Sequence, residues 1–240
     1  MAHAVSHWQS DTPQVVGSFG TLAALQAAKA PDLLTVCDLA EIRLDLLTIE
    51  GWAPTERPWA HLVGIVPLLF TARRKEEGGA LDWDAHQRSH ALKSVLDDAT
   101  LIDIEVASLE SMATVLEEAR KRQIPCVASF HNFQSLPTDS VLEHALTTAH
   151  AAGATIFKIA AAVASPADLA RLADFQLKNH PLPVSTMGMG KLAPVSRLLC
   201  AQCGSILNYG YLGETPTAPG QWDSGLLKSA IARLTPHRLP

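Results

Sequence analysis

One charged residue stands alone in a long apolar part of the chain. Lys158 is the only Asp, Glu, Lys or Arg between Glu143 and Asp168, and the segment 155–163 around it is apolar and strand-like. Burial in such a segment disfavours the ammonium form and lowers the pKa of the amine. A neutral amine can attack a carbonyl carbon and form an imine. The alternative is a structural lysine that extends to solvent at the rim of a sheet.

A histidine follows the preceding predicted strand. His131 comes directly after Ser129 and Phe130, one strand before the strand that carries Lys158. The ends of neighbouring parallel strands lie side by side, so both side chains would reach the same small substrate. Histidine exchanges protons near neutral pH, which makes His131 a candidate acid and base. A hydrogen-bonded core histidine is the competing interpretation.

Three charges alternate with two apolar residues in an earlier predicted strand. Glu41, Arg43 and Asp45 fall on one face of the extended segment, and Ile42 and Leu44 fall on the other. If the apolar face packs against helices, the charged face points into the interior of the sheet. Charges there must be paired or functional. The pattern leaves open ion pairs that only hold the fold and a substrate-binding site.

Two further charges follow the next apolar segment. Arg73 ends that segment, and Glu77 is followed by Gly78 and Gly79. Because glycine allows a tight backbone path, Glu77 could turn back toward the end of the sheet where Arg73 lies. The alternative is an ordinary solvated loop.

The last third of the chain adds an anion-binding candidate and a loop. Arg197 has a planar guanidinium that suits a carboxylate, a helix-surface arginine being the alternative. The segment 215–221 is rich in Pro and Gly and is either a lid or a plain connector. Met187 and Met189 alternate with glycines, which predicts an apolar wall or simple core packing.

Short apolar segments that alternate with helical stretches must position these residues. Such alternation over 240 residues predicts one α/β domain, residues 1–240, folded as a single (β/α)8 TIM barrel. An open doubly wound sheet is the rival, but the segment 16–20 lacks its Gly-x-Gly-x-x-Gly turn. Helices are predicted over 21–30, 84–97, 108–122 and 145–152, with another beginning at Ser165. The predicted strands are 14–19, 36–45, 63–71, 101–106, 126–130, 155–159, 182–186 and 205–208.

Composition excludes several other classes of protein. Of the 240 residues, 48% are hydrophobic and 18% are charged, and the net charge is −5. These values suit one domain with a full core and offer no basic field for nucleic acid. The longest apolar run, 62–70, is too short to span a membrane. The polar segment 1–13 does not have the pattern of a signal peptide.

Cysteines and histidines predict neither a disulfide framework nor a metal site. Four cysteines in a chain of this length indicate a reduced, cytoplasmic protein. Cys200 and Cys203 form an isolated Cys-x-x-Cys pair, for which metal or redox use is a minor alternative. The histidine pairs 86/90 and 3/7 have no third ligand nearby in the sequence.

Taken in order, the candidate segments resemble type I 3-dehydroquinate dehydratase, the class of that enzyme that forms a Schiff base. The resemblance spans most of the chain, and the order of the segments makes it specific although each segment alone is not. The matching segments are Glu41-Ile42-Arg43-Leu44-Asp45, Phe70-Thr71-Ala72-Arg73, Glu77-Gly78-Gly79, Ile102-Asp103-Ile104-Glu105, Ser129-Phe130-His131-Asn132-Phe133, Lys158-Ile159-Ala160, Met187-Gly188-Met189-Gly190, Ser196-Arg197, Gly204-Ser205 and Ala218-Pro219-Gly220-Gln221.

This resemblance implies a (β/α)8 barrel that removes water from 3-dehydroquinate to give 3-dehydroshikimate. The reaction would serve the shikimate pathway of aromatic amino acid biosynthesis, or quinate breakdown. It would use Lys158 to form the imine, His131 to transfer protons and Glu77 to orient His131, without metal or organic cofactor. A homodimer is one assembly that the family implies. The implied substrate-binding positions are Glu41, Arg43, Arg73, Met187, Met189, Thr217, Gln221 and Arg197, the last of which would hold the carboxylate.

Two departures and two rival functions accompany the resemblance. Thr217 stands where the family usually has Ser, so the hydroxyl survives but the extra methyl could alter lid closure. The usual Met-Pro after Lys158-Ile159-Ala160 is absent, and no functional loss is expected from that. A class I aldolase would share the lysine but would not need His131, Arg197 and Gln221. A catalytically silent barrel would be favoured by the loss of Lys158 or His131, and both are present.

Overall fold

Eight parallel strands curl into a barrel in which neighbours along the chain are neighbours in space. The computed structural model describes residues 12–237. The strands are β1 Gln14–Phe19, β2 Leu39–Arg43, β3 Leu68–Thr71, β4 Leu101–Glu105, β5 Cys126–Asn132, β6 Ile156–Ala162, β7 Val184–Met189 and β8 Leu207–Leu212. Each strand from β1 to β6 pairs with its successor, and β1 also pairs with β8. The prediction of a (β/α)8 barrel is therefore confirmed.

Serine side chains help to close the barrel between β7 and β8. The backbone N–H of Leu207 donates to Oγ of Ser185 over 2.7 Å, and the N–H of Thr186 donates to Oγ of Ser205 over 3.2 Å. At this junction between β7 and β8, called the seam below, the hydroxyls satisfy backbone N–H groups that a regular strand ladder would otherwise pair.

The helices surround the barrel, and several of them begin at a side-chain cap. Within residues 12–237 they are α1 Leu22–Ala27, α2 Ala30–Val36, α3 Leu44–Ile49, α4 Ala85–Lys93, α5 Ala113–Lys121, α6 Asp139–Ala151, α7 Pro166–Leu177, α8 Ala193–Gln202 and α9 Ser224–Leu234. The helices with a side-chain cap are α1, α4, α7 and α9. Ser165 caps α7 as predicted: its hydroxyl accepts from the N–H of Asp168, whose side chain accepts from the N–H of Ser165.

The barrel interior is apolar at its amino end and polar above. An inner cluster of buried side chains, one from most strands, fills the lower part: Val16, Leu39, Leu69, Leu101, Val127, Ile156 and Leu207. Two residues further along each strand the side chains again point inward, because strand side chains alternate. Several of these next positions are charged or hydroxylic, namely Ser18, Glu41, Thr71, Asp103, Ser129 and Lys158. The apolar layer thus forms the floor of a polar site.

Two predicted strand boundaries were wrong near the site. The strand predicted over 36–45 is limited to Leu39–Arg43, and Asp45 lies in the first turn of α3. A carboxylate is favoured there by the free N–H groups of the helix terminus. The strand predicted over 63–71 begins at Leu68, because Gly64 has a left-handed φ of 76° and the chain turns there.

Two predicted helices were also wrong in their bounds. The helix predicted over 21–30 is divided into α1 and α2, because Lys29 is extended, with φ −110° and ψ 129°, just before the proline of α2. The helix predicted over 108–122 begins only at Ala113, after a 3-10 turn that spans Val106–Ser108.

The later strands are longer at their carboxyl ends than predicted, which changes where Lys158 lies. Strand β6 runs to Ala162, so Lys158 is the third of its seven residues and not close to its end. The amine therefore sits inside the barrel, and the alternative of a lysine at the solvent rim is wrong.

Some sequence predictions concern residues that the structure does not describe. The absence of a signal peptide in 1–13 and the histidine pair 3/7 fall wholly or largely outside residues 12–237. Within that range no helix has the length and apolar character needed to cross a membrane.

Candidate active site

The side chains predicted as catalytic or substrate-binding line one cavity at the carboxyl ends of the strands, whereas Asp45 lies outside it and pairs with Arg43. The lining side chains come from six of the eight strands or from the connections that follow those strands, and the barrel brings them to one place. The cavity also contacts Ser18, Gly78, Phe133, Ala160, Tyr209 and Ala218. The predicted residues in its wall are Glu41, Arg43, Arg73, Glu77, His131, Lys158, Met187, Met189, Arg197, Thr217 and Gln221.

Lys158 is a buried amine between a carboxylate and an aromatic ring. Lys158 is 4% exposed to solvent. Nζ lies 3.4 Å from Oδ2 of Asp103 and 4.0 Å from the centre of the Tyr209 ring. Burial lowers the pKa of the amine; Asp103 opposes this shift and the nearby guanidinium of Arg73 adds to it. The neutral amine needed for attack on a carbonyl is thereby made more accessible.

His131 is held by Glu77 through two contacts. Nδ1 of the ring lies 2.9 Å from Oε2 of Glu77, and the backbone N–H of His131 donates to the same oxygen over 2.9 Å. Burial and the cations Arg73, Lys158 and Arg43 hold the pKa of His131 well below its usual value. With a carboxylate at Nδ1, the neutral ring keeps its proton there and presents Nε2 as a base.

Two glycines allow Glu77 to reach the histidine. Glu77 ends a 3-10 turn, and Gly78 follows with a left-handed φ of 88°. A Cβ on Gly78 would lie 2.5 Å from the Phe133 ring, and a Cβ on Gly79 would lie 2.2 Å from the carbonyl oxygen of Arg73. Only glycine fits both positions without displacing a neighbour. The predicted return of Glu77 over the barrel mouth is confirmed.

The charges of β2 have partners within the protein. Arg43 donates from Nε and Nη2 to the two carboxylate oxygens of Asp45, over 2.9 and 2.7 Å. Glu41 accepts hydrogen bonds from the hydroxyls of Ser18 and Thr71. Glu41 and Arg43 are thus buried and paired, and both also line the cavity. A role in holding the fold and a role in binding substrate are therefore compatible for these residues.

Arg73 belongs to a chain of alternating charges beneath the cavity. Its Nη1 lies 3.0 Å from Asp103 and 3.0 Å from Glu105. Nη1 of Arg88 donates to the second oxygen of Glu105 over 2.7 Å, and Asp103 continues the chain to Lys158. Because each buried charge has an opposite neighbour, the chain holds Lys158 without leaving an isolated ion.

Arg197 is buried without an acidic partner among residues 12–237. The residue is 1% exposed, Nε donates to the carbonyl of Tyr209 over 3.0 Å, and Nη1 donates to the carbonyl of Gly188 over 3.2 Å. Burial lowers its pKa to about 10. A desolvated guanidinium that neutral carbonyls hold in place is ready for an incoming carboxylate.

The Pro/Gly loop after β8 folds over the cavity. Oε1 of Gln221 accepts from the N–H and the hydroxyl of Thr217, each over 2.9 Å. Gly220 has a φ of 71°, and a Cβ there would lie 2.3 Å from the carbonyl oxygen of Gly190. The methyl of Thr217 faces Gly20, 3.0 Å from where a Cβ would stand. The extra methyl of this threonine is thus accommodated by a glycine.

Sequence reasoning missed several residues of the site. Tyr209 was missed because the last strand was predicted to end one residue before it. Asp103, Glu105 and Ser129 lie in segments that match the family, but the sequence alone predicts no role for them. The signal was present, since Asp103 and Glu105 alternate with isoleucines along β4 as the charges of β2 do.

Among the described residues, the remaining cysteines and histidines form no metal site. Cys200 is buried on α8, and burial raises its pKa to about 12, so it is a weak nucleophile. His86 and His90 lie one turn apart on α4, as predicted. Within residues 12–237 no group of three or more His, Cys, Asp or Glu side chains is arranged to hold a metal ion.

A parallel barrel with a buried lysine in its interior and a carboxylate-held histidine near the carboxyl end of the neighbouring strand defines a (β/α)8-barrel enzyme site. Comparison with known sequences narrows this class to one family. The sequence profile of the family described as type I 3-dehydroquinase matches residues 15–235, and this chain belongs to that family.

Individual relatives agree with the family assignment. The chain is 32% identical over 240 residues to the 3-dehydroquinate dehydratase of Haloquadratum walsbyi, with 94% of each chain covered. It is 31% identical over 211 residues to the catabolic 3-dehydroquinate dehydratase of Acinetobacter baylyi, covering 83% of this chain and 76% of that one. It is 30% identical to the chloroplastic bifunctional 3-dehydroquinate dehydratase/shikimate dehydrogenase of Arabidopsis thaliana, but the match covers only 32% of that longer protein.

Solved structures share the fold. The crystal structure of 3-dehydroquinate dehydratase from Geobacillus kaustophilus superposes with a TM-score of 0.82 at 23% identity, over 95% of this chain and 93% of that one.

Proposed function

We propose that this chain is a 3-dehydroquinate dehydratase that makes 3-dehydroshikimate through an imine on Lys158. The proposal depends most on one observation: a buried amine, Lys158, and an imidazole held by Glu77, His131, share a single cavity. The family and the names of the relatives support the substrate.

Substrate binding begins with its carboxylate. Arg197 is the buried cation without an acidic partner among the described residues, so an anion there would gain a charge-assisted hydrogen bond at little cost in lost internal pairing. Glu41, Arg43 and Arg73 are already paired. Their unused donor and acceptor positions would contact the hydroxyl groups of the ring.

Imine formation creates the electron sink. Neutral Lys158 attacks the ketone carbon, one proton is taken up from solvent, and the carbonyl oxygen leaves as water; the final hydrolysis returns that proton. The product is a protonated imine, and its positive charge lies near Asp103. The protonated imine withdraws electrons from the neighbouring carbon, whose proton becomes more acidic than it was beside the ketone.

His131 then moves the proton. Its neutral ring takes the proton from the carbon beside the imine, and the released electron pair forms an enamine. The protonated ring next gives that proton to the leaving hydroxyl as the enamine electrons expel it as water. Hydrolysis of the conjugated imine releases 3-dehydroshikimate and restores the amine. The net change is the loss of one water molecule.

The walls and the loop over the cavity would exclude other water during these steps. Met187 and Met189 form part of an apolar wall, and both are 3% exposed. Thr217 and Gln221 join across the loop that covers the site. A covered site protects the imine from early hydrolysis and fixes the position of the substrate ring.

The proposal includes a setting for the enzyme. The protonated imine supplies the electron sink, so the reaction needs no metal or organic cofactor. We expect one catalytic domain over residues 1–240 in the cytoplasm; within residues 12–237 no disulfide joins the cysteines, which suits a reducing compartment. We also predict that the chain forms a homodimer and that it does not bind nucleic acid.

The direct test is incubation with 3-dehydroquinate. Loss of water conjugates the ketone with a carbon–carbon double bond, so ultraviolet absorbance should rise with time and enzyme concentration. A parallel sample of Lys158→Ala should give no rise. No absorbance change with the wild-type chain, at enzyme concentrations approaching that of the substrate, would contradict the proposal.

A further inference from the structure

The ring of Tyr209 reaches Lys158 from two strands away. Tyr209 lies on β8 and Lys158 on β6, yet Nζ is 4.0 Å from the ring centre. The intervening strand, β7, has Ser185 in register with Lys158. The small side chain of Ser185 accepts from the N–H of Leu207 at the seam and leaves space for the ring.

The hydroxyl of Tyr209 does not account for this arrangement. It is buried and makes no hydrogen bond with any residue in 12–237. A buried hydroxyl without a partner is unfavourable. The contact that the side chain does make with a polar group is through its ring face, to the amine.

The backbone of the same residue contacts the second key cation. The carbonyl of Tyr209 accepts from Nε of Arg197 over 3.0 Å. Any amino acid at this position would supply that carbonyl, so a side-chain substitution leaves the arginine contact in place. The ring can therefore be tested separately from Arg197.

We propose that the ring face of Tyr209 positions the nitrogen of Lys158 and stabilises its positive charge, first as the ammonium ion and then as the protonated imine. The inference rests on the proposed function and makes Tyr209 a positioning residue. The negative face of an aromatic ring attracts a cation, most strongly where water is excluded. The cation persists until the enamine forms, so the ring acts on the intermediate from which the proton is removed.

Other groups around the amine act independently of the ring. They come from strands β2, β4 and β5 and from the second residue after β3. Asp103 and Glu41 favour the charge of Lys158, whereas Arg73 opposes it, and the charge of Lys158 in turn lowers the pKa of His131. All four remain in a variant changed only at residue 209. A change in the pKa of Lys158 in that variant therefore measures the effect of the Tyr209 ring.

The test measures the pKa of Lys158 without substrate, by competitive labelling with acetic anhydride and peptide mapping. Tyr209→Phe keeps the ring face and should titrate like wild type. Tyr209→Leu removes the ring while keeping an apolar side chain; the ammonium form loses its stabilisation, so the pKa should fall by roughly 0.5 to 1.5 units. Tyr209→Met serves if the leucine variant does not fold. Tyr211→Leu, on the same strand, is the matched control and should change nothing.

Turnover should follow the same pattern. We expect kcat to fall by about 2- to 30-fold in Tyr209→Leu, the kinetic equivalent of a cation–ring contact, and to stay near wild type in Tyr209→Phe. Wild-type titration of Lys158 in the leucine and methionine variants, or an equal loss in the phenylalanine variant, would overturn the inference. Absence of an imine in the wild-type chain would contradict the proposed function instead, and the substrate-free titration would still decide the inference.

Discussion

One carboxylate oxygen of Glu77 binds both the backbone N–H and the ring Nδ1 of His131, each over 2.9 Å. The double contact fixes the orientation of the ring as well as its tautomer. Burial raises the pKa of Glu77 to about 7, while burial and the nearby cations lower that of His131. The group of this pair that titrates near neutral pH is therefore the carboxylate and not the imidazole.

This assignment predicts the acid limb of the pH profile. In the wild-type chain, kcat/KM for 3-dehydroquinate should rise as pH increases through about 7, because ionised Glu77 orients the base. Glu77→Gln should be less active and should lose this limb, since glutamine does not titrate. The measurement is kcat/KM from pH 5 to pH 9 for both proteins. An unchanged limb in Glu77→Gln would assign the titration to another group.

The same pKa shift predicts an effect on stability. The pKa of Glu77 is about 7 in the folded chain and 4.5 as the reference value, so its contribution to stability is present below pH 4.5 and lost as pH rises through about 7. Glu77→Gln should therefore raise the free energy of unfolding at pH 8 by up to about 3 kcal/mol, with no gain at pH 4.5. Urea unfolding at the two pH values measures this. A variant less stable than wild type at pH 8 would contradict the assigned shift.

Removal of the imidazole should separate imine formation from proton transfer. His131→Ala should still bind substrate covalently, but turnover should fall by about 10²–10⁴-fold, the usual scale for a positioned acid and base. His144→Ala, at an exposed position of α6, is the control and should behave as wild type. A normal kcat in His131→Ala would exclude this residue from proton transfer.

Arg197 should act chiefly in binding. Because it has no acidic partner among the described residues, its removal breaks no internal ion pair, and Arg197→Ala should weaken substrate binding by roughly 2–5 kcal/mol. Arg171→Ala, a surface arginine paired with Asp139, controls for loss of charge. Calorimetric titration with 3-dehydroshikimate gives the affinity. Equal affinity in Arg197→Ala and wild type would move the anchor to Arg43 or Arg73.

The strand-and-helix alternation of the sequence was enough to predict the barrel, and every side chain chosen for the site lies in one cavity. The reason is physical: an isolated charge in an apolar, strand-like segment is buried with its strand and is stable only in a polar interior that it shares with other charges. Lys158 illustrates this, since its isolation between Glu143 and Asp168 in the sequence already predicts burial.

The predictions that were wrong or missing concern features that depend on contacts between different strands and helices. Asp45 was assigned to a strand because it continues the alternation of Glu41 and Arg43, but pairing with Arg43 and the first turn of α3 favour its helical position. The contact of Tyr209 with Lys158 depends on a small residue on β7 and on the length of β8, neither of which periodicity reveals.

The central claim is that Lys158 forms a covalent imine with the substrate. Its buried amine has a lowered pKa, and an imine can be reduced to a stable amine whereas an ionic contact cannot. Lys191, exposed beside the cavity loop, is the competing lysine, and Lys191→Ala is the matched control.

The measurement is borohydride reduction in the presence of 3-dehydroquinate, followed by intact-mass analysis and peptide mapping. We expect irreversible inactivation, one ligand-derived adduct per chain on Lys158, the same adduct in Lys191→Ala, and none in folded Lys158→Ala. An adduct on Lys191, or turnover by the wild-type chain with no adduct at all, would contradict the imine mechanism.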